Sequence, residues 1–195
     1  EGSNGAKTWN FKIRQGVEFH NGKSLTAEDV VDSLNHHLGE ESKSAAKGQL
    51  GAVTSVKADG KYGVVVELSG GDADFPFILT DYHLLICPSN GDGTIDWQSG
   101  TGTGGFTLVE HEPGVRTLTK ANPNYWKPNR RFFDEVETLQ IADSAAREAA
   151  LRTGELDAMN NVSAKTADLL KRQPGIVVDA TKGNKQITLP MLTNV

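Results

Sequence analysis

Residues 7–31 read KTWNFKIRQGVEFHNGKSLTAEDVV, and three kinds of local structure follow one another within them. Trp9, Phe11 and Ile13 alternate with Asn10, Lys12 and Arg14, the period of a half-buried strand. His20-Asn21-Gly22 is a turn, because Asn-Gly accepts positive φ at little cost. Thr26 is the expected N-cap of a helix, and Asp29 three residues on completes a variant of the capping box. Glu28 and Asp29 also suit the positive end of the helix dipole. Ala27, Val30, Val31, Leu34 and Leu38 then share one face at helical spacing, and Gly39 ends the helix. Strand, turn and amphipathic helix in immediate succession predict an α/β chain of the mixed α+β kind.

Further along, residues 42–50 are expected to be a short helix. Residues 53–58 and 62–68 flank Asp59-Gly60, a strong hairpin signal. Residues 75–79 read as a short helix, and residues 84–87 as a buried strand stopped by Pro88. Residues 89–105 are rich in Gly, Ser, Thr and Asn and are the expected crossing between two lobes. After them, residues 106–112 and 115–121 flank Pro113-Gly114 as a second hairpin. Residues 136–141 read as a strand. Asp143 caps a helix through Thr153 that Gly154 closes, and Ser163 caps another through Gln173. Residues 176–180 and 187–192 read as strands, so the second half is expected to alternate strand and helix.

Composition narrows the function classes. The chain has 195 residues, with 20 Lys plus Arg against 25 Asp plus Glu, a net charge of −5. That balance gives no electrostatic footprint for nucleic acid or for an anionic membrane. Hydrophobic residues at 37% and charged residues at 23% fit a globular chain with a core. No apolar run approaches the roughly 18 residues of a membrane helix. One cysteine, Cys87, leaves no intramolecular disulfide and no multi-cysteine metal site. The chain opens at Glu1 without Met and stops just after an apolar run, so it is expected to be a fragment.

Motifs that carry chemistry fail one by one on their context. Gly100-Thr-Gly-Thr-Gly-Gly105 matches GxGxxG, but a polar loop precedes it and a strand follows, where a dinucleotide site needs strand then helix. Gly22-Lys23-Ser24 resembles the end of a P-loop, but Val17 stands where its first glycine belongs. Asn90, Asp92, Thr94 and Asp96 alternate like a calcium loop, yet Ile95 and Thr101 occupy its glycine and glutamate positions. His36 and His37 point from different helix faces, and no His-Glu-x-x-His occurs. There is no Gly-x-Ser-x-Gly elbow, and Cys87 in an apolar run is an inert core cysteine. Asp72 and Asp74 in a Gly-rich loop would be the carboxylate pair of a hydrolase, and a solvated turn explains them equally well. Asn161-Val-Ser163 is a glycosylation sequon in which Ser163 is better used as a helix cap. Neither a catalytic residue nor a metal ligand emerges, and no cofactor is called for. Two lobes and a crossing make a cleft, the usual place for a ligand, which points to a binding protein.

The opening stretch also resembles the signature of the family 5 extracellular solute-binding proteins, the dipeptide, oligopeptide and nickel receptors of ABC importers. The resemblance lies in the Phe11-Lys-Ile-Arg14 strand, Gly16-Val-Glu-Phe-His-Asn-Gly22, and Thr26-Ala-Glu-Asp-Val30 opening a helix. Gly102-Thr-Gly-Gly-Phe106 is similar to the family's Gly-Thr-Gly-Pro-Phe crossing, with Gly105 in place of proline. Asn122-Pro-Asn-Tyr-Trp126, Asp143 with Arg147, Ala150-Leu151, and Gly154-Glu-Leu-Asp157 follow the family's pattern in order, and residues 187–193 resemble the strand before its next domain.

The resemblance implies an incomplete type II periplasmic-binding-protein architecture. Residues 1–98 would be a small extra domain of helix plus antiparallel sheet, and residues 99–195 part of the first main lobe. It implies a non-enzymatic monomer in the periplasm, or lipid-anchored on the outer face of the cytoplasmic membrane. Its partners would be a small peptide and an ABC permease, with no nucleic acid. A nickel chelate, a sugar or an opine is the alternative ligand. The opposite lobe would carry most of the groups that anchor the peptide. Tyr82, His83, Trp97, Thr103, Asp157 and Asn160 are the expected cleft-facing positions, each polar or aromatic and each at an element end or in the crossing.

Overall fold

Alternation along the opening strand decides the first layer. In the computed structural model, which describes residues 1–180, β1 (Gly2–Ser3) and β2 (Thr8–Lys12) pair antiparallel, with Trp9 opposite Gly2. β2 also pairs antiparallel with β4 (Gly63–Leu68), Trp9 facing Val66 and Phe11 facing Val64. β3 (Val53–Ala58) returns beside β4 through the Asp59-Gly60 turn, so the sheet order is β1-β2-β4-β3. α1 (Ala27–His37) packs on β3 and β4. Its Ala27 and Leu34 join Leu50, Val56, Val64, Val66, Leu68 and Phe75 in one buried cluster.

Phe75 opens α2 (Phe75–Ile78) and lies under the sheet's aromatic pair, its ring centroid 6.5 Å from Trp9 and 6.4 Å from Phe11. Trp9 and Phe11 are two residues apart, hence on one face of β2, and their rings stack at 6.2 Å. The Trp9 indole N–H donates to the carbonyls of Ala6 and Asp72, both at 3.2 Å, which satisfies its one polar atom.

The second sheet is a meander, β5-β6-β7: β5 (Phe106–Glu112), β6 (Arg116–Ala121) and β7 (Glu135–Leu139), all antiparallel, with a bulge between Leu108 and Glu110. Arg116 ties the three strands together through Glu110 on β5 and Glu137 on β7, the latter at 2.7 Å. The chain divides into two compact units, residues 1–139 and 140–195. Both sheets fall in the first. The second holds α3 (Ser144–Thr153), whose N-cap Asp143 accepts from the Ala146 amide at 2.7 Å, and α4 (Ala167–Leu170). Gly154 closes α3 at φ +79°, as its sequence predicts.

Four expectations change. Residues 84–87 form no strand: Leu84 is buried, Leu85 is 66% exposed, and Ser33 rather than a neighbouring strand binds the backbone at Cys87. Residues 42–50 form no helix: 42–44 are irregular and 45–50 are successive turns. The helix expected from Ser163 to Gln173 is regular only over α4, with turns on either side, and residues 176–180 are irregular. The second half therefore runs as a meander followed by helices instead of alternating strand and helix. The strand expected at 187–192 lies outside the described residues.

Candidate functional site

The turn at residues 20–23 is small, yet it reaches both ends of the Gly-, Ser- and Thr-rich segment 89–105. Asn21 and Gly22 build it: the Asn21 side chain accepts from the Lys23 amide at 3.0 Å, and Gly22 takes φ +82°. Lys23 and His20 then point at two stretches of chain far ahead in sequence.

Lys23 meets the start. Its Nζ donates to Asp29 Oδ1 at 2.6 Å and to the Ser89 carbonyl at 2.7 Å. Asp29 is fully buried and accepts further bonds from the amides of Ser89 (2.8 Å) and Thr26 (2.8 Å) and from the Thr26 hydroxyl (3.0 Å). Burial alone would raise the Asp29 pKa, but Lys23 and these donors outweigh it and hold the carboxyl below its ordinary value. Asp32 and Ser33, three and four residues further on, face the same way. Asp32 accepts from the Ser89 hydroxyl, and Ser33 Oγ binds the amide and carbonyl of Cys87. Buried polar groups are costly unless bonded; here each carboxylate and hydroxyl fastens residues 87–89 to α1. Burial, with a smaller contribution from Asp96, pushes the Cys87 thiol pKa up, so the thiol is a poor nucleophile.

His20 meets the end. Its imidazole Nδ1 accepts from the Gly102 amide at 3.2 Å, and its Nε2 donates to the Gly104 carbonyl at 3.0 Å. The His20 amide adds a bond to the Gly102 carbonyl at 2.9 Å. From the other side, Asn122 Nδ2 donates to the same Gly104 carbonyl at 3.0 Å, and the Asn122 amide to the Gly105 carbonyl at 2.8 Å. Tyr125 packs against Gly105, where a Cβ would stand 3.3 Å from its ring. Gly100 takes φ +69°, which side chains rarely adopt, and a Cβ there would have to displace the tip of Leu108, 2.6 Å away. Beside this junction the Arg14 guanidinium lies 4.7 Å from the Trp126 ring centroid, a cation–π contact.

The segment between these clasps is a loop whose two ends meet one turn, the geometry of an Ω-loop. At its base Ile95 is buried and pairs with Ser89, and the Asp96 amide donates to the Pro88 carbonyl at 2.9 Å. The residues read as calcium-like close on themselves: Asn90 binds Thr94 at 2.9 Å, and Asp92 accepts from Thr94.

The expected site residues scatter over three places. Trp97, 60% exposed, and half-buried Thr103 both lie on the tied loop. Tyr82 and His83 follow α2, their rings 3.9 Å apart, with His83 Nδ1 bound to Asp81 at 2.8 Å. Close by, Gln49, Asp74, Phe77, Ile78, Thr80 and Asp81 line an open hollow. Asp157 and Asn160 are exposed in the second unit. Asp72 accepts the Asp74 amide at 2.8 Å, an Asx turn leading into α2. The sequence reading met Asn122 and Tyr125 only in the Asn122–Trp126 motif, and His20 only in a turn and in the family signature, and gave none of them a part in holding residues 102–105. Their partners are backbone groups, and no side-chain pattern records those.

Two antiparallel sheets, a capped helix and a loop tied at both ends thus make up the first unit. The sequence pattern of the bacterial extracellular solute-binding proteins, family 5 (middle region) matches residues 1–194. The chain belongs to that family. It is 35% identical over 133 residues to the uncharacterized protein YhjP of Bacillus subtilis, covering 68% of this chain and 22% of that one. It is 28% identical over 166 residues to the oligopeptide-binding protein AppA of the same organism, covering 80% and 30%. The solved structure of that AppA with a nonapeptide superposes with a TM-score of 0.75 at 27% identity, over 88% of this chain and 36% of that one. AgaA from A. tumefaciens R10, in complex with agropinic acid, gives 0.77 at 27% identity, over 89% and 36%. The chain thus spans under a third of the length of these curated relatives. The fold is that of the periplasmic binding proteins, present in part.

Proposed function

We propose that this chain is part of the substrate-binding component of an ABC importer, which captures a peptide in the periplasm and hands it to a membrane permease. The observation that carries the reading is the likeness to AppA with its nonapeptide, which covers 88% of this chain. In this reading residues 1–98 form the small extra domain and residues 99–195 part of the first main lobe. The tied loop with Trp97 and Thr103 faces the ligand, as do Tyr82, His83, Asp157 and Asn160. Capture is hinge closure over the solute, and the closed form is what docks. Such binding asks for no acid, base or metal, only a cleft with a few placed polar groups. The likeness to AgaA supports an opine as the second ligand class.

The test is native mass spectrometry of the full-length protein, purified without refolding. A retained mass that fragments as a peptide supports the reading. A retained sugar–amino acid conjugate moves the protein to the opine class. Release of the mass in chemically altered form would sink the receptor reading in favour of an enzyme.

A further inference from the structure

We propose that His20 is a positioning residue of the crossing loop: its neutral imidazole, protonated on Nε2 and bare on Nδ1, fixes the backbone on both sides of Thr103. The proposal rests on the reading that this loop faces the ligand.

Four bonds carry it. The Gly102 amide can only donate and the Gly104 carbonyl can only accept, so the two ring nitrogens must play opposite roles. The other tautomer would set N–H against N–H and a lone pair against a carbonyl oxygen. The imidazolium would lose the Gly102 bond as well, since both of its nitrogens donate. The His20 amide and the Asn122 side chain then hold the Gly102 and Gly104 carbonyls from outside the ring. Thr103 is thereby bracketed: the residue before it and the residue after it are both pinned, while its own hydroxyl makes no hydrogen bond among the described residues. A pinned backbone beneath an uncommitted hydroxyl is what a preorganised ligand contact needs. An aliphatic residue at position 20 would keep the turn and lose the bracket. A glutamine carries one acceptor and one donor spaced much like the ring nitrogens and should restore it.

The experiment uses the isotope-labelled full-length chain and its His20→Ala and His20→Gln variants. The side-chain nitrogen spectrum of the wild type, with the His20 signals assigned by their loss in His20→Gln, reads the tautomer directly. The expected result is a proton on Nε2. Amide exchange at Gly102 is expected to speed up about 2- to 10-fold in His20→Ala and to return towards wild type in His20→Gln. The Leu118 amide in β6 should not move in either, which separates loss of the bracket from loss of the fold. A proton on Nδ1, or equal Gly102 exchange in His20→Ala and wild type, overturns the proposal. If His20→Ala does not fold, the wild-type tautomer still decides. Retention of a tri- to nonapeptide library is recorded on the same samples. If the wild type retains no peptide, the peptide ligand fails, while the tautomer and the exchange rates still decide the role of His20.

Discussion

At the scale of the residue, His37 shows how one buried imidazole ties stability to pH. It lies on the last turn of α1, buried, with Nδ1 2.6 Å from the Ser44 hydroxyl. Burial, and after it the charges of His36 and His83, push its pKa below the ordinary imidazole value. Between that lowered value and about 6.5 the unfolded chain binds more protons than the folded one. The His37 contribution is therefore fully present above pH 6.5 and is lost as the pH falls through the window below it. Unfolding temperatures measured from pH 7.5 to 5.5 should decline, and His37→Gln should flatten the decline while keeping a partner for Ser44. An unchanged slope in that variant would assign the pH dependence to another group. Nothing in the sequence marks His37 over His36, since the difference is one helix position and its burial. His20 is a sharper case. Asn21-Gly22 announces a turn, but the groups His20 holds lie 82 and 84 residues ahead, on glycines with no side chain to covary with it.

At the scale of the element, local patterns are legible where the chain supplies its own reasons. The capping residues of α1 and α3, the Asp59-Gly60 hairpin and the Pro113-Gly114 hairpin all form where their turn and cap chemistry places them. Apolar runs without such punctuation mislead: residues 84–87 look like a buried strand, yet they are fastened by side chains of α1 and leave Leu85 in solvent. α2 shows why a short helix needs tertiary help. Four residues cannot repay helix nucleation, and Phe75, 1% exposed against Trp9 and Phe11, holds this one down. Phe75→Ala should cost about 3–5 kcal/mol in denaturant unfolding. Phe77→Ala, on the same helix but 74% exposed, should stay within about 0.5 kcal/mol of wild type. Similar losses in the two variants would mean that Phe75 is no special anchor, since Ala is the better helix former at both positions.

At the scale of the molecule, the family is legible because its signature residues are mostly the punctuation of the fold. Gly102, Gly104, Asn122, Tyr125 and Trp126 build the junction that ends the Gly-rich segment, while Gly105 stands where the family's pattern has proline. The ligand is not legible, because a cleft is made by two walls and the chain spans 36% of the AppA that holds a nonapeptide. A site that buries most of its ligand, roughly 70–90% of the surface, needs more walls than a chain spanning 36% of AppA supplies. It follows that residues 1–195 alone should bind any peptide retained by the full-length protein far more weakly, with Kd above about 1 μM. That corresponds to less than about 8 kcal/mol of binding free energy. Titration calorimetry with that one peptide against both chains measures the difference. Equal affinity in the two would place the whole anchor within these residues, and the exposed aromatics Tyr82 and Trp97 would become the first substitutions to make in search of it.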